Sequence, residues 1–245
     1  MEYERWAPHY RRVAEDFGFA WEREQLSARV LENLLRDESR LRTPERLEHA
    51  IRRRSAVVVG LAPNSPAPPL HALQSRGEPP CLIAADGATD RCLDVGLVPD
   101  LIVTDLDGPI PAQVSANARG ALVLAHAHGD NLDAIRRWLP EFPGSVGGSW
   151  AGPPRGGLVN YGGFTDGDRA AFLAVAMGAT EVLLSGFDFE AVEETGPAGE
   201  RKRRKLGWAR SLLGLLAGEG TPLFLLRADG SRVPYPTDAG MPSTQ

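Results

Sequence analysis

Short apolar runs recur along the chain from residue 56 onward, and glycine, proline or polar residues bound each of them. Aliphatic runs of this length are typical of strands that are buried on both faces of a sheet. Seven are predicted as strands: AVVVG (56–60), CLIAA (81–85), DLIVT (100–104), ALVLA (121–125), GLVN (157–160), EVLLS (181–185) and PLFLL (222–226). Segments with helical spacing lie between most of them, the clearest at 130–139, 166–178 and 201–216. This alternation predicts an α/β fold, a Rossmann-like and mostly parallel sheet with helices on both faces.

The first 54 residues follow a helical period instead. Pro44 directly after Thr43 is typical of the first turn of a helix, and Leu47 with Ile51 begins an apolar stripe. An earlier stripe consists of Leu26, Val30, Leu31, Leu34 and Leu35. We therefore predict a small helical N-terminal unit over residues 1–54, either packed on the main domain or extended as an oligomerisation arm. The α/β domain is predicted over residues 55–227, followed by a polar C-terminal tail over residues 228–245.

The overall charge excludes one class of function. The 245 residues include 27 lysines and arginines against 32 aspartates and glutamates, a formal net charge of −5. This balance gives no basic surface for binding a nucleic-acid backbone. No apolar run approaches the ~20 residues that span a bilayer, and no secretory signal is recognisable. Cys81 and Cys92 are the only cysteines, which fits a reducing cytosol. We therefore expect a soluble, cytoplasmic protein that binds neither nucleic acid nor membrane.

Polar side chains follow the predicted strands where each strand ends. The segments are Asp86-Gly87, Asp105-Leu106-Asp107, the stretch from His126 to Asn131, the stretch from Gly162 to Arg169, and Gly186-Phe187-Asp188. The carboxyl ends of parallel strands meet at one edge of a sheet, which is where ligands bind in open α/β folds. Taken alone, an aspartate in such a place is as often a helix cap or a turn residue. Together the segments predict a ligand site lined by carboxylates.

Two aspartate pairs are candidates for a metal site. Residues i and i+2 of a strand point the same way, so Asp105 and Asp107 are predicted to converge, and Asp166 and Asp168 repeat the spacing. Carboxylates so placed repel each other unless a cation lies between them. Oxygen ligands without cysteine favour Mg²⁺ over zinc or iron. The clusters therefore predict a site for Mg²⁺ and phosphate.

Glycine-containing turns and basic residues are the candidates for phosphate binding. A turn that exposes backbone N–H groups is predicted after the first strand, and a second one before the helix at 166–178. Their candidate residues are Gly60, Asn64 and Ser65 in the first turn, and Gly162, Gly163 and Thr165 in the second. Lys202 and Lys205 lie three positions apart and share a helix face, although basic runs such as 201–205 are usually solvated. His126 and His128 are candidates for proton donation or phosphate binding, and one of the two is expected to pack inward.

These motifs together resemble the archaeal 6-hydroxymethyl-7,8-dihydropterin pyrophosphokinases, distant relatives of thiamine pyrophosphokinase. The resemblance covers roughly residues 55–216 and, more faintly, the N-terminal helices. It rests on the motifs ADGA, PDLIVTDLDG, HAHGDN, GGFTDGDRA, GFDF and KxxKLGWA. The segment from Gly60 to Ser65 departs from the Gly-x-Gly-Pro-Ser that is usual in the family.

The resemblance implies a diphosphate transfer. ATP would give its β- and γ-phosphates to the hydroxymethyl oxygen of the reduced pterin and leave as AMP, in the synthesis of tetrahydromethanopterin or folate. Asp105 and Asp107 would hold Mg²⁺, with Asp166 or Asp168 completing the coordination. Asp107 would also count among the catalytic residues.

The same resemblance implies roles for other residues of the site. Arg169 and Lys205 would offset charge on the transferred group, and His128 would assist proton transfer. Asp86 and Asp130 would bind the metal, the nucleotide or the pterin. The remaining candidates for binding ATP and pterin are Gly60, Asn64, Ser65, Gly87, Asn131, Gly162, Gly163, Thr165 and Lys202.

Two alternative functions stay open at this point. The first keeps the fold but uses thiamine as the acceptor of the diphosphate. The second is a non-catalytic nucleotide-binding protein built on a related domain. In the leading interpretation the partners are ATP and a reduced pterin, and a homo-oligomer is compatible with the sequence.

Overall fold

The computed structural model describes residues 1–36, 43–63, 65 and 79–237. Within them lie eight α-helices: α1 (Tyr3–Phe17), α2 (Trp21–Leu34), α3 (Thr43–Ile51), α4 (Ala88–Asp94), α5 (Ile110–Ala118), α6 (Leu132–Trp138), α7 (Asp166–Ala176) and α8 (Gly196–Ala217). The same residues contain nine strands: β1 (Ser55–Val59), β2 (Cys81–Ala85), β3 (Leu101–Thr104), β4 (Leu122–Ala127), β5 (Val146–Trp150), β6 (Leu158–Val159), β7 (Glu181–Ser185), β8 (Leu223–Leu226) and β9 (Arg232–Pro234). One 3₁₀ turn, Leu139–Glu141, follows α6.

The strands form one sheet in the order β6-β5-β4-β3-β2-β1-β7-β8-β9, and only the pair β8 and β9 is antiparallel. Successive side chains of a strand point to opposite faces of the sheet. In β1, Ala56 and Val58 belong to one hydrophobic cluster, whereas Val57 and Val59 belong to another. Both faces are therefore buried, which explains the unbroken apolar runs and confirms the predicted α/β fold.

All seven predicted strands are present, whereas β5 and β9 were not predicted. The sequence of β5, VGGSW, contains two glycines and no aliphatic run. A side chain at Gly148 would overlap Leu158 on the neighbouring strand and Leu31 and Leu35 at the helix α2. The residues that weaken the strand signal are therefore the ones that let α2 lie against the sheet.

The N-terminal helices pack on the sheet rather than extend from it. Trp6 and Tyr10 of α1 are buried in the same cluster as Val103 and Phe172. Helix α2 lies on the opposite face, where Leu31 is buried among residues of β3, β4 and β5. The first two helices thus contribute to the core on both sides of the sheet.

The segment after β8 adds one short strand to the sheet. Strand β9 pairs with β8, and the buried phenol of Tyr235 donates a hydrogen bond to the backbone oxygen of Arg210 at 3.0 Å. Part of the predicted polar tail is therefore anchored, and residues 238–245 lie outside the described residues. Across the part of the chain that the structure describes, no helix is both long and apolar enough to cross a membrane.

Candidate active site

A cavity of about 470 Å³ opens at the carboxyl ends of β1, β2, β3 and β7. The chain builds the sheet outward from β1 to β6 and then returns to place β7 on the other side of β1. Loops leave the sheet in opposite directions at such a reversal, and the crevice between them is where ligands bind in open α/β sheets. The loop at 60–63 after β1 and the loop at 186–189 after β7 both line the cavity, so it lies at this reversal.

Three aspartates converge in the cavity. Asp86 follows β2, and Asp105 and Asp107 follow β3. Each offers a carboxylate oxygen that lies within 4.8 Å of those of the other two. Because β2 and β3 are neighbouring parallel strands, three carboxylates from two loops share one small volume, a donor set suited to a divalent cation.

Neighbouring side chains hold the carboxylate of Asp86 in place. The hydroxyl of Thr104 donates to Asp86 Oδ1 at 2.6 Å, and the side-chain amide of Gln113 donates to the same oxygen at 2.8 Å. Thr104 also accepts a hydrogen bond from the backbone N–H of Leu106 at 2.9 Å. Asp86 and Leu106 have φ of 42° and 67°, a left-handed conformation that is uncommon for residues other than glycine. These contacts fix the turns that carry the three aspartates.

The charges of the aspartates are strongly coupled. Burial and the negative charge of Asp105 raise the pKa of Asp107 to about 7. Burial would also raise the pKa of Asp105, but its contacts with His128 and Asp107 outweigh this effect and hold that pKa well below its usual range. Burial, followed by the charges of Asp105 and Asp86, raises the pKa of Asp166 far above its ordinary value. At neutral pH the cluster therefore favours a cation that would replace its protons.

Two oxygens of this cluster lack partners. Asp105 Oδ1 and Asp166 Oδ1 are buried and accept no hydrogen bond from any residue that the structure describes. Arg169 Nη1 lies 3.8 Å from Asp166 Oδ1, which is too long for a hydrogen bond. Buried carboxylate oxygens without donors are costly, and a cation bound among the three converging aspartates would compensate that of Asp105.

Three basic side chains border the aspartates. Arg169 and both lysines of α8, Lys202 and Lys205, line the cavity. Lys202 Nζ lies 3.7 Å from Glu194 Oε1, and both side chains are about half exposed. The positive charge of Lys205 favours the ionised form of Asp107. It therefore partly offsets the rise in the pKa of Asp107 that burial and Asp105 cause. Cations and carboxylates that line the same cavity suit a ligand that combines phosphates with a metal ion.

The two histidines after β4 face different surroundings. His126 is the inward-packed one, with Nδ1 3.0 Å from the hydroxyl of Ser149. His128 Nδ1 accepts a hydrogen bond from the backbone N–H of Asp130 at 3.2 Å, which leaves Nε2 as the nitrogen that carries hydrogen. That Nε2 lies 3.5 Å from Asp105 Oδ2. His128 therefore faces a candidate metal ligand.

Asn131 and Asp130 lie beside the cavity instead of lining it. The buried side-chain amide of Asn131 donates to the backbone oxygens of Asp105 and His126, each at 2.7 Å, and so joins the ends of β3 and β4. Asp130 is half exposed and lies 3.7 Å from Arg23. Their predicted contacts with nucleotide or pterin stay predictions.

Asp168 lies apart from the three converging aspartates. Its Oδ2 accepts from the backbone N–H of Phe164 and its Oδ1 from that of Thr165, both at 2.7 Å, and the Thr165 hydroxyl also donates to Oδ1. Both carboxylate oxygens are thus occupied by the N-terminus of α7, in a capping box. The structure favours the helix-cap interpretation of Asp168, whereas Asp166 of the same turn lines the cavity.

We expect Asp168→Asn to lower the free energy of unfolding by about 1–3 kcal/mol, because a single amide oxygen cannot replace both acceptors. Mg²⁺ affinity should stay near the wild-type value. The matched variant Asp166→Asn should do the reverse and weaken Mg²⁺ binding without loss of stability. Urea unfolding and calorimetric Mg²⁺ titration measure both quantities, and weakened Mg²⁺ binding in a fully stable Asp168→Asn would return Asp168 to the metal site.

Some residues of the predicted glycine turns line the cavity, and others allow close packing of the chain. Gly162 and Gly163 have φ of 100° and 91°, and a Cβ on either would overlap Phe172 or Arg169. Their smallness lets the loop approach α7. Gly60, Gly87 and Thr165 line the cavity. Ser65 donates to the backbone oxygen of Ala62 at 2.9 Å and contacts Arg91, and Asn64 lies outside the described residues.

Some residues of the site were not predicted from the sequence. Thr104 and Gln113 hold Asp86, and Glu24 contacts the loop after β4. A threonine that ends an apolar strand and a glutamine in a helix of small residues are weak signals. Glu24 gives no local signal, because its partner Gly129 is 105 residues away.

Comparisons with known proteins identify the family. A family model described as 6-hydroxymethylpterin diphosphokinase MptE-like matches residues 29–194. A protein of Methanothermobacter thermautotrophicus named 6-hydroxymethyl-7,8-dihydropterin pyrophosphokinase is 40% identical over 230 residues, which cover 90% of this chain and 97% of that relative. Proteins of the same name from Pyrococcus furiosus and Methanocaldococcus jannaschii are 38% and 31% identical, and the matches cover 90% and 88% of this chain and 96% of each relative. The chain therefore belongs to the MptE-like family of 6-hydroxymethylpterin diphosphokinases, which confirms the resemblance of its motifs.

Proposed function

We propose that this protein transfers a diphosphate group from ATP to the hydroxymethyl group of 6-hydroxymethyl-7,8-dihydropterin and releases AMP, with Mg²⁺ as the required ion. The observation that carries the proposal is the convergence of Asp86, Asp105 and Asp107 in the cavity at the strand-order reversal. The names of the relatives supply the acceptor. The product would serve the synthesis of a reduced-pterin cofactor such as tetrahydromethanopterin or folate.

The donor set fits Mg²⁺. All candidate ligands are carboxylate oxygens, and two of these oxygens, Asp105 Oδ1 and Asp166 Oδ1, are buried without a donor among the described residues. Asp86, Asp105 and Asp107 would hold the ion, with Asp166 beside them. When bound there, Mg²⁺ would neutralise charge on the phosphate oxygens of ATP.

The transfer itself requires positioning and charge compensation. The hydroxyl oxygen of the pterin bonds to the β-phosphorus, the bond from that phosphorus to the oxygen shared with the α-phosphorus breaks, and this oxygen leaves on AMP. The hydroxyl proton passes to water. Arg169, Lys202 and Lys205 line the cavity and would bind the phosphates, which holds the β-phosphorus for in-line attack. His128 would orient Asp105 through Nε2, and the assistance to proton transfer that the resemblance implies stays a prediction.

Product analysis tests the proposed reaction. The protein is incubated with ATP, Mg²⁺ and 6-hydroxymethyl-7,8-dihydropterin, and the nucleotides are separated by ion-exchange chromatography. AMP and the pterin diphosphate should form in equal amounts. ADP as the nucleotide product would overturn the diphosphate transfer. Thiamine in place of the pterin tests the alternative acceptor, and AMP formation with thiamine alone would overturn the assigned substrate.

We expect the affinity for Mg²⁺ to rise with pH and to level off above pH 7. Since the pKa of Asp107 is raised to about 7, Mg²⁺ must displace a proton from this carboxyl at lower pH. One displaced proton changes the apparent affinity about tenfold per pH unit. Calorimetric titration with Mg²⁺ between about pH 5.5 and 8 measures this slope, and Asp107→Asn should flatten it. A constant affinity in the wild type would exclude Asp107 as a ligand.

A further inference from the structure

Glu24 is a buried carboxylate that the proposed reaction does not use. It lies in the first turn of α2, and only 2% of its surface is exposed. Glu24 Oε1 accepts a hydrogen bond from the backbone N–H of Gly129 at 2.9 Å. Burying a carboxylate is expensive unless its contacts compensate, so this one should have a specific role.

Two adjacent residues of α2 hold the loop that follows β4. Beside the bond from Gly129 to Glu24, Arg23 Nη2 lies 3.7 Å from Asp130 Oδ1. A Cβ on Gly129 would lie 2.9 Å from the Cβ of Arg23 and 3.3 Å from Glu24 Oε1. The approach of helix and loop therefore depends on a glycine at position 129.

The same loop carries His128 toward the aspartates. The backbone N–H of Gly129 bonds to Glu24, and the next N–H, that of Asp130, bonds to His128 Nδ1. This second bond directs His128 Nε2 toward Asp105 Oδ2 at 3.5 Å. Two consecutive backbone N–H groups thus connect Glu24 of α2 to His128, and His128 in turn faces the candidate metal ligand Asp105.

The other oxygen of Glu24 is buried as well. Glu24 Oε2 is buried without a hydrogen-bond donor among the described residues. Burial raises the pKa of Glu24, and the hydrogen bond from Gly129 and the neighbouring side chains of His128, Arg169 and Tyr10 oppose this effect. Two of these neighbours, His128 and Arg169, are residues of the candidate active site.

We propose that Glu24 is a positioning residue for the diphosphate transfer: it holds the loop at 128–130 so that His128 keeps Asp105 oriented for the metal ion. The role rests on the proposed function, because it assigns Asp105 to the metal site. Helix α2 is then a working part of the active site as well as part of the core.

Three variants test this role. Glu24→Ala removes the acceptor and should lower kcat about tenfold or more, because small misplacements of reacting groups are costly. The KM for ATP should change less than about twofold, since the phosphate-binding cations are untouched. Glu24→Gln retains an oxygen that accepts from Gly129 and should recover most of kcat. Leu31→Ala, buried on the same helix, should lower the melting temperature but leave kcat near wild type well below melting.

Two measurements are independent of turnover. Hydrogen exchange followed by NMR should show a protected amide at Gly129 in the wild type and Glu24→Gln, and fast exchange in Glu24→Ala. The affinity for Mg²⁺ should fall in Glu24→Ala but not in Glu24→Gln or Leu31→Ala. Unchanged exchange and affinity in Glu24→Ala would overturn the positioning role, as would equal kcat losses in Glu24→Ala and Leu31→Ala. A wild-type protein that forms no AMP would instead overturn the proposed function, while exchange and Mg²⁺ affinity would still decide the role of Glu24.

Discussion

Substitution of Asp107→Asn is expected to lower kcat about a thousandfold, since it removes a charged ligand from the phosphate and metal site. Asp107 shares a volume within 4.8 Å with Asp86 and Asp105, so loss of its charge weakens the site for both metal and phosphate. Initial rates of AMP formation at saturating ATP and pterin measure this loss. The matched control is Asp133→Asn, which makes the same chemical change at a fully exposed side chain of α6 and should leave the rate unchanged.

The same substitution should make the metal-free protein more stable at pH 8. An aspartate has an unfolded-state pKa of about 3.9, and burial and Asp105 raise that of Asp107 to about 7 in the folded protein. Because the pKa is higher in the folded state, the protein loses stability as pH rises from about 4 to 7. Asp107→Asn does not titrate at this position and therefore keeps that stability. Melting temperatures without Mg²⁺ should therefore be higher for Asp107→Asn than for the wild type. With Mg²⁺ the wild type should melt at the higher temperature, because it binds the ion more tightly. A variant that is both active and less stable than wild type would place Asp107 outside the metal site.

Substitution of Lys205→Met is expected to lower kcat/KM about a hundredfold, because a cation that offsets charge on the transferred phosphates is lost. Lys205 lines the cavity and its charge acts on Asp107. Lys202→Met should have a smaller effect, expressed mainly in the KM for ATP, because the Lys202 side chain is about half exposed and is already paired with Glu194. Initial rates over a range of ATP concentrations separate the two parameters.

The control for both lysines is Arg203→Met, an exposed residue of the same helix that does not line the cavity. It removes the same charge and should change kcat/KM only slightly, and by less at higher ionic strength. Equal losses in all three variants would indicate a general electrostatic effect of the basic run. In that case the specific phosphate role of Lys205 would be wrong.

The pattern of side chains along the chain was sufficient for the α/β architecture. Strands buried on both faces appear as unbroken apolar runs, such as CLIAA and EVLLS, and these were located within a residue or two. The ends of parallel strands necessarily share an edge, so the approach of Asp86 to Asp105 and Asp107 followed from their positions after β2 and β3. Strand β5 was not predicted because it contains two glycines in place of an aliphatic run. One of them, Gly148, is required for the close packing of α2 on the sheet.

The partners of individual side chains depended on the folded chain. Asp166 and Asp168 look equivalent in sequence, yet one lines the cavity and the other caps α7, because a helix turns the two side chains in different directions. Gln113 and Glu24 reach the site from distant segments, and their contacts with Asp86 and Gly129 span 27 and 105 residues. Local periodicity encodes which face of an element is buried. It carries no information on which distant group meets a polar atom there, since that depends on how the helices pack on the sheet.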